Sequence, residues 1–286
     1  MALIPPFSFN CVVGLGVREA DGKIEWVGTG TLTGRPFQPS PADGMRYHVF
    51  LVTNRHVLNK LDRMVLRFNP CDSGEALDYD IPLTDLRTGR PLWRGHPDPD
   101  IDLAALGMDV DFLLKEGVRY DFFNLDNQAM DTAEMRQDGV SEGDFIYTLG
   151  FPMGIVDTDR LYVIARMGCL ARLRDTLAGH RKDFLIDSSI FPGNSGGPVL
   201  YKPEITHIAG TSAVGKAAFI GIVAGYLTFR DTAISHQTGS ARVIFEENAG
   251  LAVVHTVDQV RETVEESFRA SKIKEQTPPP ALTSRS

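Results

Sequence analysis

Residues 191–198 read Phe-Pro-Gly-Asn-Ser-Gly-Gly-Pro and lie between two short apolar segments, Phe184–Asp187 and Pro198–Tyr201. Both flanking segments have the composition of β-strands. Glycines let the backbone turn tightly and leave no Cβ in the way of a ligand. Such a turn can aim the amides of Gly193 and Ser195 in one direction, as an oxyanion site requires. A plain turn between two strands is the alternative interpretation of this stretch alone.

The rest of the chain favours an all-β fold. Short β-branched and aromatic runs alternate with Gly, Pro, Asn and Asp, which is typical of a sandwich or barrel. The predicted strands are Cys11–Val17, Ile24–Thr33, Tyr47–Thr53, Met64–Phe68, Ile101–Met108, Phe145–Leu149, Leu161–Ala165, Phe184–Asp187, Pro198–Tyr201, Phe219–Phe229 and Leu251–His255.

Four other segments have different compositions. The proline-rich stretch Arg35–Gly44 is predicted to be a surface loop, and residues 111–139 a connection between two strand-rich halves. Val257, Val260, Val264 and Phe268 recur at helical spacing, so a C-terminal amphipathic helix is predicted over residues 256–272. Residues 273–286 are rich in Pro and Ser and are predicted to be a disordered tail.

Composition excludes several classes of protein. The 286 residues carry a formal charge of −8, and an acidic surface repels nucleic acid. No apolar run is long enough to span a membrane, and the stretch after Met1 lacks the basic and apolar regions of a secretory signal. Three cysteines without framework or metal-ligand spacing suit a reducing compartment. We therefore expect a soluble cytoplasmic protein with neither nucleic-acid nor membrane partners.

His56 is the candidate base for the serine. It follows the apolar segment 49–52 within Thr-Asn-Arg-His-Val (53–57), so it is predicted at a strand end where an imidazole can face a cleft. The other six histidines lack such a context and are interpreted as surface or core residues. They are His48, His96, His180, His207, His236 and His255.

Asp102 is the candidate carboxylate that orients this base. It leads into the apolar segment of Asp-Ile-Asp-Leu-Ala-Ala-Leu (100–106), where a carboxylate can be held at the edge of the β structure. Asp100 is the second choice. His96, Asp98, Asp100 and Asp102 also alternate in a way that suits a metal site, although a polar loop explains them equally well, and we expect no metal.

The three blocks, in the order His, Asp, Ser, resemble the signature segments of trypsin-like, chymotrypsin-fold serine peptidases, close to the bacterial Deg-type branch. The resemblance extends over residues 8–255. It implies two antiparallel six-stranded β-barrels with a C-terminal helix: a first barrel over 8–110 carrying His56 and Asp102, and a second over 140–255 carrying Ser195. It further implies a His-Asp-Ser triad, an oxyanion hole of the Gly193 and Ser195 amides, and no cofactor.

Departures from the family pattern bear on regulation. The secreted animal enzymes have cysteines where this chain has Val57 and Phe191, so the corresponding disulfides are absent. They also place an aspartate before the serine to receive a new N-terminal ammonium, whereas this chain has Asn194. We therefore expect a site that is formed without N-terminal clipping, or one ordered by substrate or a partner.

The resemblance also assigns a specificity pocket, with Ser189 at its base and Ala224, Gly225 and Tyr226 along its lining strand. An uncharged base has no reason to select Lys or Arg, so we expect cleavage of proteins or peptides after a small or medium apolar residue. A shifted alignment, with Tyr226 simply packed in a strand, is the alternative. A silent peptide-binding module and an enzyme that needs a regulatory protein partner also stay open, and residues 35–44 and the chain after 270 are candidate contact sites. The order of the three residues excludes an α/β-hydrolase.

Overall fold

The computed structural model describes residues 4–40, 44–204, 210 and 214–275. With 45% strand against 17% helix, it confirms the expectation of a β protein. None of the helices in the described ranges is long and apolar enough to cross a membrane.

The N-terminal half forms one large sheet in the order β5-β4-β1-β2-β3-β7-β6. A short helix, α1 (Phe7–Asn10), precedes it, and a second one, α2 (Arg55–Leu58), follows β3. The strands are β1 (Val12–Arg18), β2 (Ile24–Ser40), β3 (Gly44–Thr53), β4 (Arg63–Pro70), β5 (Leu77–Pro82), β6 (Arg94–Gly95) and β7 (Ala104–Gly107).

This sheet does not close, so the prediction of two closed barrels is wrong for the N-terminal half. The end strand β6 is two residues long and pairs with β7 alone among the described strands. The chain before β6 reaches the segment after β5 through an isolated antiparallel bridge between Thr84 and Pro91 and a hydrogen bond from the Leu92 N–H to the Leu83 carbonyl at 2.8 Å. In the described part of the chain β5 and β6 themselves are not paired, so the sheet stays open.

The segment between the halves is structured and packs on the N-terminal sheet. It contains α3 (Val110–Lys115), β8 (Val118–Arg119), β9 (Phe123–Asn124) and α4 (Thr132–Asp138). β8 pairs with β4, and β9 pairs with β2 in parallel. The Phe123 ring stacks on the Phe219 ring of the C-terminal half with centroids 4.8 Å apart, so the segment also ties the halves together.

The C-terminal half is a closed antiparallel barrel of six strands, as predicted. Its order is β10-β11-β12-β15-β14-β13, and β13 returns to pair with β10. A 3₁₀ turn (Pro152–Gly154) follows β10, and α5 (Arg174–Leu177) follows β11. The strands are β10 (Phe145–Gly150), β11 (Ile164–Arg172), β12 (Asp183–Asp187), β13 (Pro198–Tyr201), β14 (Ala218–Ile234) and β15 (Ala241–Thr256).

The predicted C-terminal helix is present as α6 (Val257–Glu275), three residues longer than expected at its end. Its four periodic apolar residues are buried in a core cluster that also contains residues of both halves. The Ser267 hydroxyl donates to the Ala105 carbonyl of β7 at 3.2 Å. The helix thus packs across the two halves, while residues 276–286 of the predicted tail lie outside the described residues.

Several strand boundaries differ from prediction. The loop predicted for Arg35–Gly44 is wrong up to residue 40, because β2 continues through Ser40 and β3 begins at Gly44; residues 41–43 lie outside the described residues. The strand predicted at Leu161–Ala165 begins instead at Ile164. β14 and β15 run far beyond their predicted ends, and their extra residues are largely exposed.

Candidate active site

His56 lies on the one-turn helix α2, where the chain leaves the N-terminal sheet. The apolar residues of β3 are buried up to Val52, and Asn54 then breaks the strand as the extended residue before the helix. Val57 and Leu58 are buried and anchor the turn to the core. The His56 side chain is 52% exposed, so local packing turns the imidazole away from the core.

Asp102 holds His56 through both carboxylate oxygens. Its Oδ2 is hydrogen-bonded to the His56 Nδ1, and its Oδ1 accepts from the His56 backbone N–H at 3.0 Å. Burial raises the pKa of Asp102, but the hydrogen bonds and charge of His56 outweigh it, and the net pKa lies below the ordinary carboxyl value. The carboxylate therefore stays ionised and fixes the imidazole with its Nε2 turned away from Asp102.

The backbone of Asp102 is held as firmly as its side chain. The Asn54 side-chain amide donates to the Asp102 carbonyl at 2.8 Å, and the Arg55 N–H donates to the same oxygen at 3.3 Å. The loop carrying the carboxylate is thus fastened to the turn that carries the base.

The alternative carboxylate Asp100 does not join this site. Its side chain is exposed and lies 3.3 Å from Lys182 Nζ, which also contacts Asp98 at 2.6 Å. The His96 Nε2 is instead 2.9 Å from Glu262. In the described residues, no group of three or more His, Cys, Asp or Glu side chains is arranged to hold a metal ion.

The turn at Ser195 has the backbone form that its glycines predict. Gly193 has φ +94°, and a Cβ there would lie 2.2 Å from the Phe151 carbonyl oxygen. Gly196 has φ +88°, and a Cβ there would lie 2.0 Å from the Thr29 carbonyl oxygen. Both positions therefore require glycine for conformation and for space.

Two amides of this turn have no hydrogen-bond acceptor within the described part of the chain: those of Gly193 and Ser195. The neighbouring amide of Asn194 donates to Phe191 O at 3.0 Å, and that of Gly196 donates to Val223 O at 2.9 Å. Because backbone N–H groups are normally paired, two unpaired donors beside one serine hydroxyl form a ready site for an oxyanion.

Asn194 stabilises the turn from inside. It is 2% exposed, and its Oδ1 accepts the Phe191 N–H at 3.1 Å while its own N–H donates back to Phe191. The turn is therefore closed by hydrogen bonds between its own residues.

The Ser195 turn belongs to the C-terminal barrel but docks on strand β2 of the N-terminal sheet. The Thr29 hydroxyl donates to Gly193 O at 2.6 Å, and the Thr29 N–H donates to Ser195 O at 2.9 Å. The Thr53 hydroxyl, three residues before His56, donates to Thr29 O at 2.8 Å. These buried bonds bring the serine turn to the same end of the sheet as the His56–Asp102 pair.

The Ser195 hydroxyl itself lies 3.4 Å from the Ala224 carbonyl oxygen and donates to it. Among the described residues no hydrogen bond joins it to His56.

His255 is a site residue that the sequence interpretation missed. It is 5% exposed at the end of β15, and its Nε2 accepts the Asp102 backbone N–H at 3.1 Å. Burial lowers the pKa of His255 below the ordinary imidazole value, despite the nearby charges of Asp102 and Asp183. The residues around His255 at the end of β15 did not indicate this role, because the contact with Asp102 joins residues 153 positions apart.

The residues predicted for the specificity pocket are placed as follows. Ser189 is exposed after the end of β12. The lining strand is β14, where Ala224, Gly225 and Tyr226 are half-buried directly after Val223, which exchanges hydrogen bonds with the serine turn. Tyr226 packs against the barrel core. No hydrogen bond in the described residues joins Ser189 to these three.

The chain matches no protein-family model and no curated protein.

Proposed function

We propose that this chain is a serine endopeptidase of the trypsin-like kind. The observation that carries the proposal is the pair of unpaired amides at Gly193 and Ser195, in a turn docked on the sheet that carries the hydrogen-bonded His56–Asp102 pair. A nucleophile, a base oriented by a carboxylate, and donors for an oxyanion are the parts that acyl transfer needs.

The proposed mechanism follows from the hydrogen bonds. Asp102 accepts a hydrogen bond from the Nδ1–H of His56, so Nε2 carries the lone pair that takes the Ser195 proton. The serine oxygen then bonds to the scissile carbonyl carbon, and the Gly193 and Ser195 amides stabilise the oxyanion. The tetrahedral intermediate then collapses: the scissile C–N bond breaks as His56 passes the proton to the leaving amine, and an acyl-enzyme is left. Water, deprotonated by His56, attacks the acyl carbon, and the bond to Ser195 breaks as the proton returns to the serine oxygen.

The trypsin-like assignment also rests on the order of the three motif blocks and on the position of the site between the two halves. The closed C-terminal barrel supports it, whereas the open N-terminal sheet departs from a two-barrel fold. We propose protein or peptide substrates cleaved after a small or medium apolar residue, because Ser189 brings no charge. Three free cysteines favour action in the cytoplasm.

Labelling with a fluorophosphonate probe tests the enzyme without knowledge of its substrate. The native chain is expected to label, while Ser195→Ala abolishes labelling and His56→Ala slows it strongly. Ser240→Ala is the matched control, because that serine is exposed and far along the chain from the site. Labelling that persists in Ser195→Ala overturns the proposed nucleophile.

A second candidate is a peptide-binding module that is silent, or active only with a partner. The observation that favours it is the hydrogen bond of the Ser195 hydroxyl to Ala224 rather than to His56. A folded native chain that stays unlabelled supports this candidate against the endopeptidase. Labelling that appears on adding a cell extract identifies the partner-dependent form.

A further inference from the structure

β14 and β15 continue beyond the barrel as a two-stranded arm, residues 227–248, which we call the ribbon. β13 accompanies β14 as far as Ile222, and β12 accompanies β15 only from Leu251 onward. At the tip, the Ser235 N–H donates to the Ser240 carbonyl at 2.9 Å. Within the described residues, both outer edges of the ribbon lack a neighbouring strand, and such edges are templates for pairing with another chain.

The ribbon exposes large apolar side chains on both faces. Phe229, Val243 and Phe245 lie on one face by their register, and each is at least half exposed. Ile244 lies on the other face and is 64% exposed. An apolar surface of this kind, with open edges beside it, is typical of an interaction site.

The outer edge of β15 has a charge pattern that complements itself. It reads Arg242-Val243-Ile244-Phe245-Glu246, with opposite charges at equal distances from Ile244. Two such strands paired antiparallel about Ile244 place Arg242 of each copy opposite Glu246 of the other. Val243 then meets Phe245, and Ile244 meets its own equivalent, so every opposed pair is favourable.

Arg242 is available for such a contact. It is exposed and has no ion-pair partner in the described part of the chain. Glu246 lies 3.2 Å from Arg230 on β14, so a second arginine would complete a charge network around it.

The outer edge of β14 offers no comparable register. Its two charged residues, Arg230 and Asp231, are adjacent and therefore point to opposite faces. Residues directly opposed across a symmetric pair share a face, so this edge cannot set its own arginine against its own aspartate. Moving the two-fold axis of the β15 pair by one residue likewise leaves Arg242 and Glu246 with no oppositely charged residue across from them in the other copy.

We propose that this chain forms a symmetric dimer by antiparallel pairing of the β15 outer edges, with Ile244 on the two-fold axis. The pairing joins two ribbons into a four-stranded sheet. It supplies hydrogen-bond partners for the exposed edge and makes the apolar strip of Phe229, Val243 and Phe245 continuous across the two copies. The proposal does not depend on the catalytic assignment.

A charge exchange tests the dimer. Sedimentation of the native chain is expected to give twice the 31.5 kDa chain mass. Arg242→Glu and Glu246→Arg each set like charges opposite one another and are expected to be monomers. An equimolar mixture of the two variants restores both opposite-charge pairs, so the dimer mass is expected to return. A monomeric native chain, or a mixture that stays monomeric, overturns the proposal.

Cross-linking tests the position of the two-fold axis. In a Cys71→Ser background, Ile244→Cys is expected to form a covalent dimer under mild oxidation, because the two thiols face each other across the axis. Thr232→Cys is the matched control, since Thr232 is the cross-strand neighbour of Ile244 on the same face but lies on β14, away from the two-fold axis. Equal cross-linking of the two variants, or none with Ile244→Cys, counts against the proposed register.

Discussion

Replacing His255 with phenylalanine is expected to slow the reaction of Ser195 while leaving the chain folded. His255 accepts the Asp102 N–H from the end of β15, one strand away from the residues that hold the serine turn. Specifically, β14 pairs Ile222 with His255, and the next residue, Val223, exchanges hydrogen bonds with the turn at Gly196 and Gly197. His255 therefore sets the position of the carboxylate relative to the nucleophile, across the two halves.

The size of the effect follows from the lost acceptor. A partly buried N–H left without a partner costs about 1–3 kcal/mol. If Asp102 shifts so that its N–H finds another partner, His56 is no longer held in the orientation that the transition state needs. An equal loss of transition-state stabilisation, about 1–3 kcal/mol, corresponds to about a 5- to 150-fold slower reaction. His255→Gln retains an acceptor near the position of the imidazole Nε2 and is expected to recover most of the rate.

The assay is the second-order rate constant for fluorophosphonate labelling, with thermal unfolding measured alongside. His96→Phe is the matched control, because the His96 Nδ1 also accepts an aspartate backbone N–H, that of Asp98 at 3.0 Å, but among the described residues its side chain forms no hydrogen bond with His56, Asp102 or Ser195. A native labelling rate in folded His255→Phe refutes the positioning role, as does an equal loss in His96→Phe. Failure of the native chain to label at all would instead count against the proposed function and leave the role of His255 to be judged separately.

Three further predictions concern the turn and the pH response. Gly193→Ala is expected to abolish labelling and to lower the free energy of unfolding by well over the ~1–2 kcal/mol that a positive φ costs a residue with a Cβ. Gly143 has the same φ of +94° but open space around it, so Gly143→Ala is expected to show only that smaller loss in urea unfolding. Thr29→Val removes the hydroxyl that holds Gly193 and is expected to slow labelling about tenfold for each ~1.4 kcal/mol lost, while Thr33→Val, whose 3.5 Å bond lies outside the site, changes it little. Because burial lowers the pKa of His255 in the folded chain, the unfolded chain binds its proton first as pH falls through the ordinary imidazole range, so stability drops toward acid until the lowered pKa is passed. His255→Gln should flatten that slope by at most about 1.4 kcal/mol per pH unit in urea titrations at pH 8 and 5, and an unchanged slope contradicts the assignment.

Local sequence patterns were enough to predict the β-rich fold class, the C-terminal helix and the types of residue in the candidate site. β13 at Pro198–Tyr201 has the predicted bounds because Gly196 and Gly197 precede it and a polar segment follows it. The lengths of β14 and β15 were underestimated, because a strand is predicted from a buried apolar run and residues 227–248 are mostly exposed. The open N-terminal sheet was missed because closure depends on which distant edges meet.

The sequence by itself determined that Ser195 lies in a tight glycine turn between strands and that Asn194 directly precedes it, because both are properties of adjacent residues. The tertiary structure alone decided which aspartate contacts His56, separating Asp102 from Asp100, which differs by only two positions. It also decided that His255 holds Asp102 and that Thr29 holds the serine turn. These are contacts between residues far apart in the chain, and they exist only where packing of the two halves brings the backbone segments together.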